Sequence, residues 1–406
     1  REGIGALVLG VYDDNKLHYI GHTGTGFDTK ESIRLKNLLD KIMTNDSPFE
    51  PVPKTNSKVT WVEPKEVAEI SFTEWTPDGK MRHPVYLGLR EDKNPKEVCL
   101  DDVQIPIEGS DPKSIPISHR EKIFWPEENY TKGDMIDYYE AISGTMLPYL
   151  RDRPMVMNRF PNGIKGLSFY QKNVKEKDLP PFVEIKEIIS SSGKKTNYIL
   201  GNNRETLLYM ANLASIEINP WNSRIQHLEQ PDYFVIDLDP LDVSFELVVE
   251  IAQIVKEILK LAHLEGYCKT SGATGLHIYV PLNAKYSYET VRSFAHVIAD
   301  LVSKRCLKWA STERSPAKRA GKVYVDYLQN AFGQTLVAPY SLRPRPGAPV
   351  STPLDWSEVN SSLKVLDYNM TTVPKRIKDK GDIWKPILEC QNDLQEAFTQ
   401  LEKISS

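Results

Sequence analysis

The stretch that most restricts this chain is "YFVIDLDP", residues 233–240, an apolar strand pattern carrying two aspartates two positions apart. Side chains along a strand alternate faces. Phe234, Ile236 and Leu238 therefore share one face, and Tyr233, Val235, Asp237 and Asp239 share the other. Adjacent like charges on a partly buried face cost free energy unless something positive sits between them. A divalent cation would relieve that crowding. So would a turn beginning at Asp239-Pro240, with Asp237 left in water. A D-x-D on its own leaves both readings open.

A second acid extends the pattern. "KVYVDYLQN" sets Asp326 in another apolar strand pattern, on one face with Tyr324 and Leu328. Carboxylates from two strands meeting at one point would build the oxygen cage of a two-metal site. The alternative is a strand-end aspartate capping its neighbour. Between the two acidic strands lies "KTSGATGLHIYVPL", with a tight turn at Ser271, Gly272, Ala273, Thr274 and Gly275. Glycines let backbone amides come close to an anion, and a turn of amides can cradle phosphate. Ser271 adds a hydroxyl, and His277 enters the next strand on the face of Tyr279. The turn lacks GK[ST], so it is not a Walker loop. "ERSPAKRAGK" adds Arg314, Lys318, Arg319 and Lys322, and "PYSLRPRPGAPVS" adds Arg343 and Arg345. Such residues are usually solvated; beside a metal site they would neutralise a triphosphate.

At 406 residues two domains are expected. A hydrophobic share of 40% with 26% charged residues suits a globular protein and excludes a disordered one. No apolar run approaches the ~18 residues of a membrane span. The opening "REGIGALVLGVY" has neither a secretory signal nor an initiator methionine, so a piece of a longer protein is expected. Cys99, Cys268, Cys306 and Cys390 are too scattered for a zinc site and read as reduced thiols. The net charge of -4 does not exclude nucleic acid, because binding depends on local patches.

Residues 1–95 read as short strands with one helix, "TKESIRLKNLLDKIM", and hairpin turns at Asp13-Asp14-Asn15 and Pro77-Asp78-Gly79. A small barrel of the OB type fits that composition. Residues 96–117 read as a linker, and 118–406 as a large mixed α+β domain. Helix patterns there are "KGDMIDYYEAISGTMLPYL", "NRETLLYMANLA", "FELVVEIAQIVKEILKLAHLEG", "YETVRSFAHVIADLVSKR" and a terminal "ILECQNDLQEAFTQLEKISS". Strand patterns are "MVMNRF", "YFVIDLD", "LHIYVPL" and "VYVDYL".

"YFVIDLDP", "KTSGATGLHIYVPL" and "VYVDYLQNAFGQTLVAPYSLRPRPGAPVSTPLDW" closely resemble the polymerase domain of bacterial DNA ligase D, an end-joining family of the archaeo-eukaryotic primase superfamily. "REGIGALVLGVYDDNKLHYIGHTGTGF" and "FTEWTPDGKMRHPVYLGLREDK" resemble the OB domain of the same family's ATP-dependent ligase, in the Bacillus-type order. The resemblance implies a template-guided, gap-filling polymerase of double-strand-break repair that favours ribonucleotides. It implies Asp237, Asp239 and Asp326 as catalytic metal-binding acids serving two divalent cations, manganese or magnesium. It implies Ser271, Gly272, His277, Arg319 and Arg343 around the incoming nucleoside triphosphate. Lys122 and Lys132, with His119, match the segment gripping the 5′-phosphate across a DNA gap, and Phe169-Tyr170 match an aromatic pair that stacks on template bases. An ordinary core pair is the alternative for those two rings. Implied partners are double-stranded DNA ends and the bacterial Ku ring, in a bacterial, nucleoid-associated cytoplasmic setting.

Departures from the family pattern stand at Asn219 (often His), Thr274 (often Lys), His119 (commonly Asn) and Asn158 (often basic). Arg82, Arg90 and Lys93 match the motif that a ligase OB domain presents to ATP. No K-x-D-G adenylation motif occurs in the 406 residues, so this chain is expected not to seal nicks. Two rival readings are a non-catalytic bridge between DNA ends and a manganese-dependent D-x-D glycosyltransferase. The second leaves Asp326 and the OB module unexplained.

Overall fold

In the computed structural model the chain divides into two units, Arg1–Asp111 and Pro112–Ser406. Residues 3–13, 16–55, 58–72, 74–76, 79–90, 94–98, 115, 117–190 and 193–405 are described. The linker expected at 96–117 lies largely outside them, as do Asp14, Asn15, Pro77, Asp78 and Lys93.

In the first unit Leu7–Asp13 pairs antiparallel with Lys16–Thr23, and Ala68–Ser71 with Val85–Leu89. The expected helix runs over Thr29–Leu39, where the Asp28 side chain caps it by accepting from Glu31 N–H. Val11, Ile20 and Met81 form a small core. Tyr86 is buried and donates to Glu31, which also holds Arg34.

In the second unit an apolar pattern with well-placed caps decides the helices. Lys132–Leu150 begins with a Thr131–Asp134 capping box, and Arg204–Asn212 with an Asn203 cap. Phe245–Leu261 and Tyr288–Arg305 bury stripes including Val248, Val255, Val291 and Ile298. These stripes cover one face of a six-stranded sheet. Its order is Ala310–Ser311, Lys322–Asp326, Tyr233–Leu241, Leu276–Pro281, Tyr267–Thr270, Pro353–Leu354, antiparallel except for the first pair.

Strand Tyr233–Leu241 alternates as its sequence requires. Phe234, Ile236 and Leu238 are fully buried against the two helices. Burial of three such side chains stabilises by roughly 5–9 kcal/mol. Tyr233 and Val235 join a different core on the opposite face, with Tyr279. A separate three-stranded sheet, Phe169–Gln171 beside Met155–Arg159 beside Ser215–Pro220, packs on that second core through Met155, Met157, Ile216 and Ile218. Ser215–Pro220 was not legible as a strand because Glu217 and Asn219, polar yet buried, interrupt its apolar pattern.

Candidate active site

Register brings the sequence's separate candidates together. Asp326 lies directly across from Asp237, Asp237 across from His277, and His277 across from Lys269. Directly opposed residues share a face, so these four side chains form one row over four strands. Asp239 lies one pleat further along, opposite Tyr324.

The acids crowd one another. Burial, with the charges of Asp326 and Asp239 adding to it, pushes the Asp237 carboxyl from 3.8 up to about 7. Such a shift corresponds to a destabilisation of the ionised form by about 4 kcal/mol. The apolar face of the same strand more than offsets it. Burial also raises Asp239, against the pull of Arg319. Three carboxylates on adjoining strands fit hard divalent cations by donor chemistry. The ready cage expected from sequence is nevertheless not assembled: among the described residues no three His, Cys, Asp or Glu side chains are gathered closely enough to hold an ion. Two of the acids have local partners. Asp326 accepts from Leu328 N–H at 2.7 Å and lies 3.3 Å from Gln329 Nε2, while Thr274 hydrogen-bonds Asp239.

The turn after Lys269 is built tightly. Ser271 Oγ accepts from the N–H groups of Ala273 (3.1 Å) and Gly275 (3.0 Å), leaving its own O–H to donate. The cradle of amides expected from sequence is therefore partly occupied by Ser271 itself. Gly272 sits at φ 70°, and a Cβ there would meet Arg343 Cγ at 2.6 Å and Ser351 N at 2.9 Å. A Cβ on Gly275 would lie 2.1 Å from the carbonyl oxygen of Leu238, on the acidic strand.

Arg343 donates from Nη1 to the Ser271 carbonyl at 3.1 Å. Its Nε lies 3.0 Å from Glu217 Oε2, close enough for charge pairing but outside hydrogen-bond alignment. Arg319 stacks 4.0 Å over the Tyr324 ring. Its Nε and Nη1 are buried without a hydrogen-bond partner among the described residues. Buried donors of that kind fit the oxygens of a polyphosphate.

Sequence reasoning missed Lys269, Ser351 and Glu217. Lys269 is wholly buried, its Nζ 2.9 Å from His277 Nδ1 and 2.5 Å from Ser351 Oγ. His277 Nε2 lies 3.4 Å from Asp237 Oδ1. Burial, with Lys269 and Arg343 nearby, pulls the imidazole well below its usual range.

A second cluster surrounds the start of helix Lys132–Leu150. Lys132 is buried and donates to Ser118 Oγ at 3.1 Å, and Lys122 donates to Asn162 Oδ1 at 2.7 Å. The backbones of 122 and 132 are hydrogen-bonded, and His119 O accepts from Lys122 N–H. His119 has φ 49° and lies 3.7 Å from Glu121. Two lysines at a helix N-terminus make an anion-attracting corner.

Phe169 and Tyr170 are 46% and 64% exposed on an edge strand, which rules out a core pair. The Arg159 guanidinium lies 5.1 Å over the Phe169 ring. Asn158 and Asn219 are buried in the same sheet, with Asn158 Oδ1 and Asn219 Nδ2 lacking partners among the described residues. In the first unit Arg90 pairs with Glu69 at 3.1 Å and Arg82 is exposed in strand Met81–Arg82. No described helix is long and apolar enough to cross a membrane.

Comparison with known proteins identifies the family. The profile "LigD, primase-polymerase domain" matches residues 131–384, and "ATP dependent DNA ligase C terminal region" matches residues 1–93. The chain is 31% identical to the multifunctional non-homologous end joining protein LigD of Pseudomonas aeruginosa, over 93% of this chain and 47% of that protein. It is 34% identical to the bifunctional non-homologous end joining protein LigD of Bacillus subtilis, over 64% of this chain and 42% of that one. It thus spans about half or less of the curated relatives it matches. The polymerase domain of Mycobacterium tuberculosis ligase D, solved in complex with DNA, superposes with a TM-score of 0.65 at 27% identity, covering 69% of this chain and all of that one. With a mixed α/β polymerase-type unit following an OB-type ligase region, the chain belongs to the LigD primase-polymerase family.

Proposed function

We propose that this chain is a template-guided nucleotidyltransferase that fills short gaps at broken DNA ends in bacterial non-homologous end joining. The observation that carries the reading is the cross-strand row Asp326–Asp237–His277–Lys269, set beside the Ser271 turn and Arg343. The primer 3′-hydroxyl attacks the α-phosphorus of a nucleoside triphosphate, and pyrophosphate leaves. Asp237, Asp239 and Asp326 would hold two divalent cations, manganese or magnesium, which lower the hydroxyl's pKa and neutralise the leaving group's charge. Ser271 and His277 donate to phosphate oxygens, and Arg319 and Arg343 supply fixed positive charge. Holding the triphosphate in line is itself worth several orders of magnitude in rate. Ribonucleotides are the favoured substrates.

Lys122, Lys132 and His119 would grip the downstream 5′-phosphate, giving salt-sensitive binding to gapped DNA. Phe169 and Tyr170 would stack on template bases, a use their exposure supports. A DNA partner accords with the DNA-bound relative; the bacterial Ku ring is the proposed protein partner, in a bacterial, nucleoid-associated cytoplasmic setting. Arg82, Arg90 and Lys93 would serve ATP only together with an adenylation domain.

The test is extension of a primer across a short gap bearing a 5′-phosphate, with each metal and each sugar type. Extension by wild type is expected, with ribonucleotides preferred. Binding of ends without extension would replace this reading with the bridging one.

A further inference from the structure

We propose that Lys269 is a positioning residue that keeps the His277 proton on Nε2, so that the ring always presents an N–H to the bound phosphates. The inference rests on the nucleotide role given to His277 above, and its physical basis is the direction of a buried hydrogen-bond chain.

Ser351 Oγ donates its one proton to the Thr270 carbonyl at 2.8 Å. Toward Lys269 that oxygen can therefore only accept, and the 2.5 Å contact is Nζ–H donating to Oγ. Lys269 Nζ lies 2.9 Å from His277 Nδ1. The proposal has Lys269 donate to both acceptors, which an ammonium must do and an amine, with two N–H groups, can do. Donation to Nδ1 makes that nitrogen a lone-pair acceptor, and a neutral ring then carries its proton on Nε2. Nε2 is the nitrogen on the acidic side, 3.4 Å from Asp237 Oδ1. The reverse tautomer would turn a lone pair toward phosphate oxygens and repel them.

The placement is unusual enough to need a reason. A fully buried lysine lacking, among the described residues, a carboxylate within ion-pair distance is costly. Nζ also sits 5.6 Å from the centre of the Tyr279 ring. A methionine would fill the same apolar volume without that cost. What methionine cannot do is donate to Nδ1 and Ser351 at once.

The experiment uses the full chain with nitrogen-15 histidine. Long-range proton–nitrogen spectra report which ring nitrogen carries the proton, and His277→Gln identifies its signals. In wild type without nucleotide, a single Nε2–H tautomer is expected; a proton on Nδ1 overturns the proposal with no variant needed. Lys269→Met should give mixed tautomers and weaken ATP binding, measured as Kd with manganese, by about tenfold. Lys269→Gln, whose amide donates without charge, should restore the tautomer and most of the affinity. If Met and Gln behave alike, charge or packing explains Lys269 and proton placement does not. The tautomer is read without catalysis, so a wild type that never extends primers defeats the functional reading while these spectra still judge Lys269.

Discussion

Two charge clusters lie along one strand, one at its entrance and one from its middle onward, and they are built on opposite principles. At its entrance Arg153, Asp232 and Arg224 interlock: Asp232 pairs with Arg153 and accepts from Arg224 Nε at 2.9 Å. Arg153 also donates to the Trp221 carbonyl and stacks 5.0 Å from the Tyr233 ring. Opposite charges there close on themselves, and backbone groups around Asp232 complete the lattice. Further along the strand Asp237 faces another acid, and its carboxyl is driven up to about 7. The paired cluster keeps only Arg153 Nε buried without a partner among the described residues, and its charges are met by one another. An open one carries a standing cost that a bound cation would relieve, and such a cost marks a candidate site.

The comparison can be broken in four ways. The largest effect is expected from Asp237→Ala, which should lower primer extension more than ~10³-fold, over about 4 kcal/mol of barrier. In EDTA its unfolding midpoint should hold or rise, because a crowded charge has gone; a clear loss of stability would show that the open cluster is structural after all. Next comes Arg153→Leu, which leaves Asp232 buried with only Arg224. Urea unfolding should show a loss of about 3 kcal/mol, while the Kd for ATP in the remaining folded protein stays within twofold.

Gly272→Ala links the two measures. The residue's φ of 70° and its crowding by Ser351 N predict a destabilisation of about 1–3 kcal/mol, with weaker ATP binding as the turn shifts. The smallest effect concerns Glu358, another closed cluster, which accepts from Arg376 and from Lys380, the latter at 2.7 Å. Burial alone would raise its carboxyl; hydrogen bonds from Arg376 and Lys380 outweigh that and hold it at about 2, below the ordinary 4.5. A depressed acid stabilises fully above its unfolded value and loses that contribution as pH falls from about 4.5 through 2. Partly exposed, it should contribute about 1–2 kcal/mol, and Glu358→Gln should flatten the acid limb of a stability–pH curve by that amount.

Much of the second unit was legible in the sequence because pattern and burial agree. The alternation in "YFVIDLDP" forecast which residues face the helices, and "YETVRSFAHVIADLVSKR" forms the helix Tyr288–Arg305 that its apolar spacing requires. What escaped was whatever depends on register between distant strands. Lys269 carries no signal in the sequence that marks it as buried; the fold sets it across from His277, wholly buried. Glu217 and Ser351 join the site through Arg343 and Lys269, partners more than eighty residues away. The acids were legible as a set, but their separate tethers to Thr274, Leu328 and Gln329 were not.

The contact of Gly275 with Leu238 has a consequence for anyone redesigning substrate choice. With a Cβ excluded at 2.1 Å from that carbonyl, the Ser271–Gly275 turn and the acidic strand are held as a single calliper whose gap a side chain at 275 would force open. Under the proposed function, changes meant to alter nucleotide choice are best placed away from Gly275, so that this pivot stays intact.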